Sequence, residues 1–488
     1  MRKPKGLWGA LAHEIALEIR RYWARATITF LVGAAVLTVI RMPQVEQSFI
    51  GQPDREMLQT AFKMRADVIV GVGDPVLLMD IDNATIREDV EHPVSPGREP
   101  SSQASRGLLA DLLMYILAAP PNRMPKAVML DVDLAAPTPG DLPGMARLHQ
   151  VLEKWAATPS APALIVSREA FNPEVTGLSG DVLTLPVSDF DDVVDSAPNI
   201  YWGEVRVLGD QEGIVREMLP YQCAQKNGRV EPLFASAILA YATLEHGKIP
   251  PGSPIRHWLD EAGPHCKRTP GVQVPHGEPI NFHLSLERHD EERRWPDLYP
   301  GWPGFKRCGP EADHSVFRQI RASVVQAAGP DASHDLLCQR LVIIGGTNDV
   351  ASDFQQTPLQ DMAGAMVLAN SVRGLQISGG GLRQAALPIQ LGVLLVISLL
   401  ITTGFTLSRI ARRRYRRHRA GVTHWGRRLA LLPLNPILLN WSIAFGAHWI
   451  GVGLLIWSLH LGYWGFLSGP AFGAAMAEAI QDFTDEPD

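Results

Sequence analysis

Gln339–Leu359, QRLVIIGGTNDVASDFQQTPL, contains the segment that decides the fold. Leu341–Ile344 (LVII) is a short apolar run, Gly345-Gly346 ends it, and Thr347, Asn348 and Asp353 follow. A continuous run of four to eight apolar residues bounded by a turn signal is the mark of a strand buried on both faces. Three earlier runs have the same character: Val76–Ile81 (VLLMDI), Ala127–Val132 (AVMLDV) and Ala163–Val166. Helical spacing lies between them, in Ser102–Leu117 with Leu108, Leu109, Leu112, Leu113 and Ile116, and in Leu142–Trp155. Alternating strands and helices predict an α/β domain with a largely parallel sheet.

A middle region breaks that rhythm. Ile200–Leu208 and Gly213–Tyr221 flank Gly209-Asp210-Gln211-Glu212 and predict an antiparallel hairpin. Leu233–Tyr241, Val316–Ala327 and Ala363–Gln376 are expected as helices and Ile280–Leu284 as a strand. Residues 246–276 and 285–312, rich in Pro, Gly, His and charge, are expected as surface insertions.

Acids gather at the expected strand ends: Asp80 and Asp82 after the first, Asp131 and Asp133 after the second, with Thr347, Asn348 and Asp353 after the last. Ligands of open parallel sheets bind beyond the carboxyl ends of the strands. Alternation puts Asp80 with Asp82, and Asp131 with Asp133, on one face, a set that suits a polyol or a divalent cation. The commoner use of such acids is to cap following helices or to accept from loop amides. No nucleophile elbow, zinc-protease motif or phosphate loop is present, so no catalytic residue, metal site or cofactor is expected and the chain is not expected to be an enzyme. His265, His276, His283 and His289 fit a solvated insertion better than a metal site.

The 488-residue chain is 46% hydrophobic, and its apolar residues concentrate at the two ends. Ala26–Ile40, extended by Tyr22, Trp23 and Met42, is expected as a first membrane span, preceded by an amphipathic helix with Trp8, Leu11, Ile15 and Ile19 on one face. Leu387–Ser408 is 22 residues without a charge, followed by a loop with nine arginines and no acid between Arg409 and Arg428. The positive-inside rule makes that loop cytoplasmic. Ile437–Leu461 is expected as a third span, and Phe466–Ile480, rich in small residues, as a fourth. The expected organisation is therefore 1–42 amphipathic helix and first anchor, 43–386 extracytoplasmic domain, 387–408 second span, 409–428 basic cytoplasmic loop, and 429–488 C-terminal spans and acidic tail. Together these predict an α/β extracytoplasmic domain with a largely parallel sheet plus a β-hairpin, attached to an α-helical membrane bundle of one N-terminal and two to three C-terminal spans.

Residues 43–386 hold 29 Lys+Arg against 44 Asp+Glu. An acidic ectodomain excludes nucleic acid as a partner. All four cysteines, Cys223, Cys266, Cys308 and Cys338, fall in this segment. An even number in one compartment predicts two disulfides in an oxidising space. Of the three pairings, Cys266–Cys308 with Cys223–Cys338 is preferred, because a clip across the Pro- and Gly-rich stretch after Cys266 helps most.

Four stretches together resemble the type-2 CHASE domain family, the extracytoplasmic sensory domains of bacterial kinases and cyclases. They are VLLMDID, PKAVMLDVDL, DQEGIVRE with Glu212 in the second acidic position, and QRLVIIGGTNDVASDFQQTPL followed by MAGAMVLANSV. The chain departs from the family where HPVSPGREPSSQASR carries no Trp and where Leu368 stands in place of a His. The resemblance implies an N-terminal anchor, a sensor and closely spaced C-terminal spans in a bacterial cytoplasmic membrane, with the sensor in the periplasm. No kinase, cyclase or phosphodiesterase follows the last expected span. The expected partners are therefore the lipid bilayer and a separate effector protein, with a homo-oligomer as a further expectation. The other functions that fit are a scaffold subunit of an envelope complex and, less well, an extracytoplasmic hydrolase.

Overall fold

The computed structural model describes residues 19–35, 76–86, 104–134, 141–169, 183–245, 254–268, 278–280, 317–347, 354–378, 383–384, 391–406 and 463–464, apart from scattered positions within those stretches. The chain divides into two compact units, Arg65–Arg383 and a second made of Met1–Met64 with Gln384–Asp488.

In the first unit, β1 (Val76–Asp80) leads to α1 (Arg106–Leu117), β2 (Ala127–Asp131), α2 (Leu142–Ala157) and β3 (Ala163–Ser167). Then come β4 (Leu183–Thr184), α3 (Asp191–Ser196), β5 (Ile200–Gly203), β6 (Val207–Gly209), β7 (Val215–Met218), β8 (Tyr221–Lys226) and β9 (Arg229–Phe234). The helices α4 (Ser236–Leu244) and α5 (Pro254–Arg268) precede β10 (Glu278–Pro279), β11 (Phe317–Arg321), α6 (Ala322–Leu337) and β12 (Leu341–Gly345). β13 (Phe354–Gln356), β14 (Asp361–Ala363) and α7 (Gly364–Ser378) complete the unit.

Six strands form one all-parallel sheet in the order β11-β1-β12-β2-β3-β5. Every residue of β1 and β12 is buried, because helices cover both faces. On one face Leu77, Met79, Val128, Leu130, Leu164, Val166, Val342 and Ile344 share a core with α1, α2, α3 and α6. On the other face lie α4, against β2 and β3, and α7, against β12. α1 begins where Ser105 accepts the Leu108 N–H at 2.9 Å, the usual N-cap geometry. It buries Leu108, Leu109, Leu112, Leu113 and Ile116, each worth about 2 kcal/mol of transfer free energy.

Several sequence expectations are corrected. Val316–Ala327 is not one helix: Phe317–Arg321 is the edge strand β11, in register with Val76–Asp80, and α6 starts at Ala322. A strand with one covered face needs only alternate apolar residues, and Phe317 and Ile320 gave too little periodicity to show it. Ile200–Gly203 joins the parallel sheet, and only Val207–Gly209 pairs antiparallel with Val215–Met218. Leu233 and Phe234 end β9, so the helix there starts at Ser236. The hairpin β8–β9 was not anticipated, although Asn227-Gly228, both at positive φ, is a strong hairpin turn signal. Within the stretch expected as an insertion, Pro254–Arg268 is a helix whose Trp258, Ala262 and Cys266 pack on Tyr221 and Cys223. Of the expected strand Ile280–Leu284 only Ile280 is described.

The preferred cysteine pairing is also overturned. Cys223 is bonded to Cys266, with Cα atoms 5.4 Å apart. The hairpin β8–β9 and α5 bring them together, a proximity that depends on elements not anticipated. Cys338 is disulfide-bonded as well, and Cys308 lies outside the described residues.

In the second unit, residues 19–32 are helical, as are 394–396 and 398–403. The Tyr22 hydroxyl lies 3.0 Å from Thr403 Oγ1, joining the two segments. Among the described residues no helix is long and apolar enough to cross a membrane. The expected amphipathic helix before Ile19, the basic loop and the third and fourth spans lie outside the described residues, apart from Tyr463 and Trp464 between the last two.

Candidate functional site

The carboxyl edge of the sheet carries two charged clusters. The first surrounds β1. Parallel register aligns Asp80 with Gly345 of β12, and Gly345 with Asp131 of β2. Gly345 is required by this row: a Cβ there would stand 2.8 Å from the Ala365 Cβ and 3.0 Å from the Asp131 Cβ. Asp80 is buried, and its Oδ1 accepts from the Thr347 N–H at 3.0 Å. The Thr347 hydroxyl reaches both carboxyl oxygens, at 2.8 and 2.7 Å, and Gln319 Nε2 donates to Oδ2 at 2.7 Å. Burial pushes the Asp80 carboxyl up to about 6, against the lowering effect of hydrogen bonds from Thr347 and Gln319; the neighbouring Asp82 charge adds to the rise.

Asp82 serves as a cap. Its Oδ1 accepts from the Thr85 N–H and hydroxyl, both at 2.8 Å, and its Oδ2 lies 2.8 Å from Arg321 Nε. Asp133 takes part through its backbone, its carbonyl accepting from Arg106 Nη2 at 2.8 Å. Of the expected ligand set, the fold thus brings Asp80, Asp82 and Thr347 together, places Asp131 across Gly345, and uses Asp133 in a link to α1. Asn348 and Asp353 lie outside the described residues. Asp141, outside the expected set, accepts from the Gly144 N–H at 3.2 Å and the Arg106 N–H at 2.7 Å, and so caps α2 while tying it to α1. Among the described residues no group of three or more His, Cys, Asp or Glu is placed to hold a metal ion.

The second cluster lies beyond β3. Arg168, the residue after that strand, is fully buried and stacks over the Trp202 ring with its guanidinium carbon 4.7 Å from the centroid. Its Nη1 donates to Asp191 Oδ1 at 2.6 Å, its Nη2 to Asp191 Oδ2 at 3.2 Å and to the Pro186 carbonyl. Lys226 of β8 reaches the same Asp191 at 2.8 Å and also pairs with Asp195. Burial pushes the Asp191 carboxyl up, but hydrogen bonds from Arg168, Lys226 and the Ser188 N–H outweigh it and hold it below the ordinary range. A cleft of about 340 Å³ opens beside this cluster, walled by Leu185, Val187 and the Asn227-Gly228 turn. Val187 is 84% exposed there. A cation directly after an apolar strand was the signal in the sequence that marks this cluster.

The first unit is thus an α/β domain, an all-parallel sheet covered on both faces with small antiparallel sheets added and charge buried at its carboxyl edge, the edge at which open parallel sheets bind ligands. The family model of the CHASE2 domain matches residues 30–405, and the chain belongs to that family of extracellular sensory domains. No curated protein and no solved structure matches the chain.

Proposed function

We propose that this chain is a membrane-anchored extracytoplasmic sensor that acts through a partner protein and not as an enzyme. The observation that carries the proposal is the family match over residues 30–405. Membrane anchoring draws support from an inverted burial pattern in the second unit. Thr29, Ser398 and Thr402 are buried, as are Ala26, Leu394 and Ile401, while Trp23, Ile28, Leu31, Leu395, Val396 and Leu400 stand exposed. Of the ten large apolar side chains exposed among the described residues, seven lie on these two helical segments. Water would favour the opposite arrangement; lipid favours this one. Such a chain sits in a bacterial cytoplasmic membrane with its α/β unit outside.

Affinity purification from gently solubilised native membranes tests the proposal. The expected result is a stoichiometric partner. Purification as a lone protein with hydrolytic turnover would overturn it. Reporter fusions at Gly252 and Gly421 are expected to report opposite sides of the membrane.

A further inference from the structure

Helix α7 is buried along Ala365–Leu375 without a break. Such a helix is normally apolar all round. This one carries three polar side chains in four positions. Asn370 donates to the Met366 carbonyl at 3.1 Å, and Ser371 to the Val367 carbonyl at 2.8 Å, so both are satisfied by their own helix. Arg373 is not. It is 1% exposed, and its Nε, Nη1 and Nη2 all lack a hydrogen-bond partner. Burial lowers its pKa to about 10, so it remains a cation at neutral pH. Among the described residues the other arginine less than 2% exposed, Arg168, is met by Asp191, the Pro186 carbonyl and the Trp202 face.

A buried cation without a counter-charge destabilises the arrangement that holds it. The same half of α7 is weak for independent reasons. Gly374 follows Arg373 inside the helix and lowers its propensity. Ser371 and Ser378 bond back to carbonyls four residues earlier, a contact that tends to bend helices. Opposing these are the buried Ala369, Val372 and Leu375. The segment is thus held by packing and loosened by its own backbone and charge, the condition for two arrangements of similar energy.

We propose that Asn370–Ser378 is the moving element of the α/β unit, shifting between the packed state and one in which the Arg373 guanidinium reaches water or an anion. Its use as a signal rests on the sensor function proposed above; the motion itself does not. In sequence this segment directly precedes Gly379–Gly381 and the apolar run from Leu387.

Hydrogen exchange of the full chain in detergent micelles tests this, comparing residues 364–378 with the equally buried α1. The expected result is exchange at least about ten-fold faster in α7. Arg373→Met, which keeps the stem and removes the charge, is expected to slow that exchange by about ten-fold and to raise the unfolding temperature. Arg373→Leu provides a second variant. Wild-type α7 exchange as slow as that of α1 would overturn the proposal. So would loss of folding or a lower unfolding temperature in both variants, since the guanidinium would then be a structural partner. Neither failure would touch the co-purification result, which tests the sensor function separately.

Discussion

The two clusters at the carboxyl edge occupy equivalent places beyond parallel strands and handle charge in opposite ways. At β1, Asp80 is buried among neutral donors, and its pKa rises to about 6. At β3, Asp191 lies between two cations, and its pKa falls. Neutral donors offset desolvation only in part, whereas opposite charges with good geometry exceed it. Position in a fold therefore does not fix electrostatic character; the partners do. The first cluster closes on itself as a clasp between strands. The second borders a cleft and draws its second cation from the β8–β9 hairpin.

The disulfide supports only the second cluster, because Cys223 lies on the same strand as Lys226. Cys266→Ser is expected to lower unfolding free energy by about 2–4 kcal/mol, as opening a loop of this size predicts. Denaturant unfolding measures it, and hydrogen exchange should show the loss in Tyr221–Phe234 with β1 unaffected. Equal loosening at β1 would show that the clusters are one cooperative unit.

Asp191→Ala removes the counter-charge of the fully buried Arg168. A loss of about 3 kcal/mol is expected. Arg168→Met in the same background should recover much of it, since the orphaned cation then disappears.

The two carboxylates predict opposite pH trends. The folded-state pKa of Asp80 is raised, so its contribution is fully present below its unfolded value of 3.8 and is lost as pH rises through about 6. The free energy of the wild type relative to Asp80→Asn should fall by about 2 kcal/mol between pH 4 and pH 7. Asp191 is depressed, so its contribution is present above its unfolded value and is lost as pH falls below it. Titrating denaturant midpoints of both variants against wild type checks the signs; parallel curves would erase the contrast between the clusters.

The smallest effect is expected at Asp82→Ala, about 1 kcal/mol, the ordinary cost of losing an N-cap. Thermal melts suffice to measure it.

The strand-end acids show how far inspection of the chain reaches. The expected set is Asp80, Asp82, Asp131, Asp133, Thr347, Asn348 and Asp353; the fold bonds Asp80 to Thr347, while Asp82 engages Thr85 and Arg321. What they do there could not be read in advance, because the Gln319 and Thr347 that engage Asp80 lie 239 and 267 residues away. Of the second cluster only the cation after β3 has a local signal; its partners Asp191 and Lys226 come from α3 and β8, and no local pattern links them to it.

The sequence by itself determined the α/β class, the buried strands that begin at Val76, Ala127, Ala163 and Leu341, and the family. Strands buried on both faces leave continuous apolar runs, which need no partner to be recognised. Only the tertiary structure decided the strand order, the edge strand Phe317–Arg321, the Cys223–Cys266 bond, and which charges are paired. Those depend on contacts between segments far apart in the chain, whose energies are set by burial and geometry and leave no local periodicity to read.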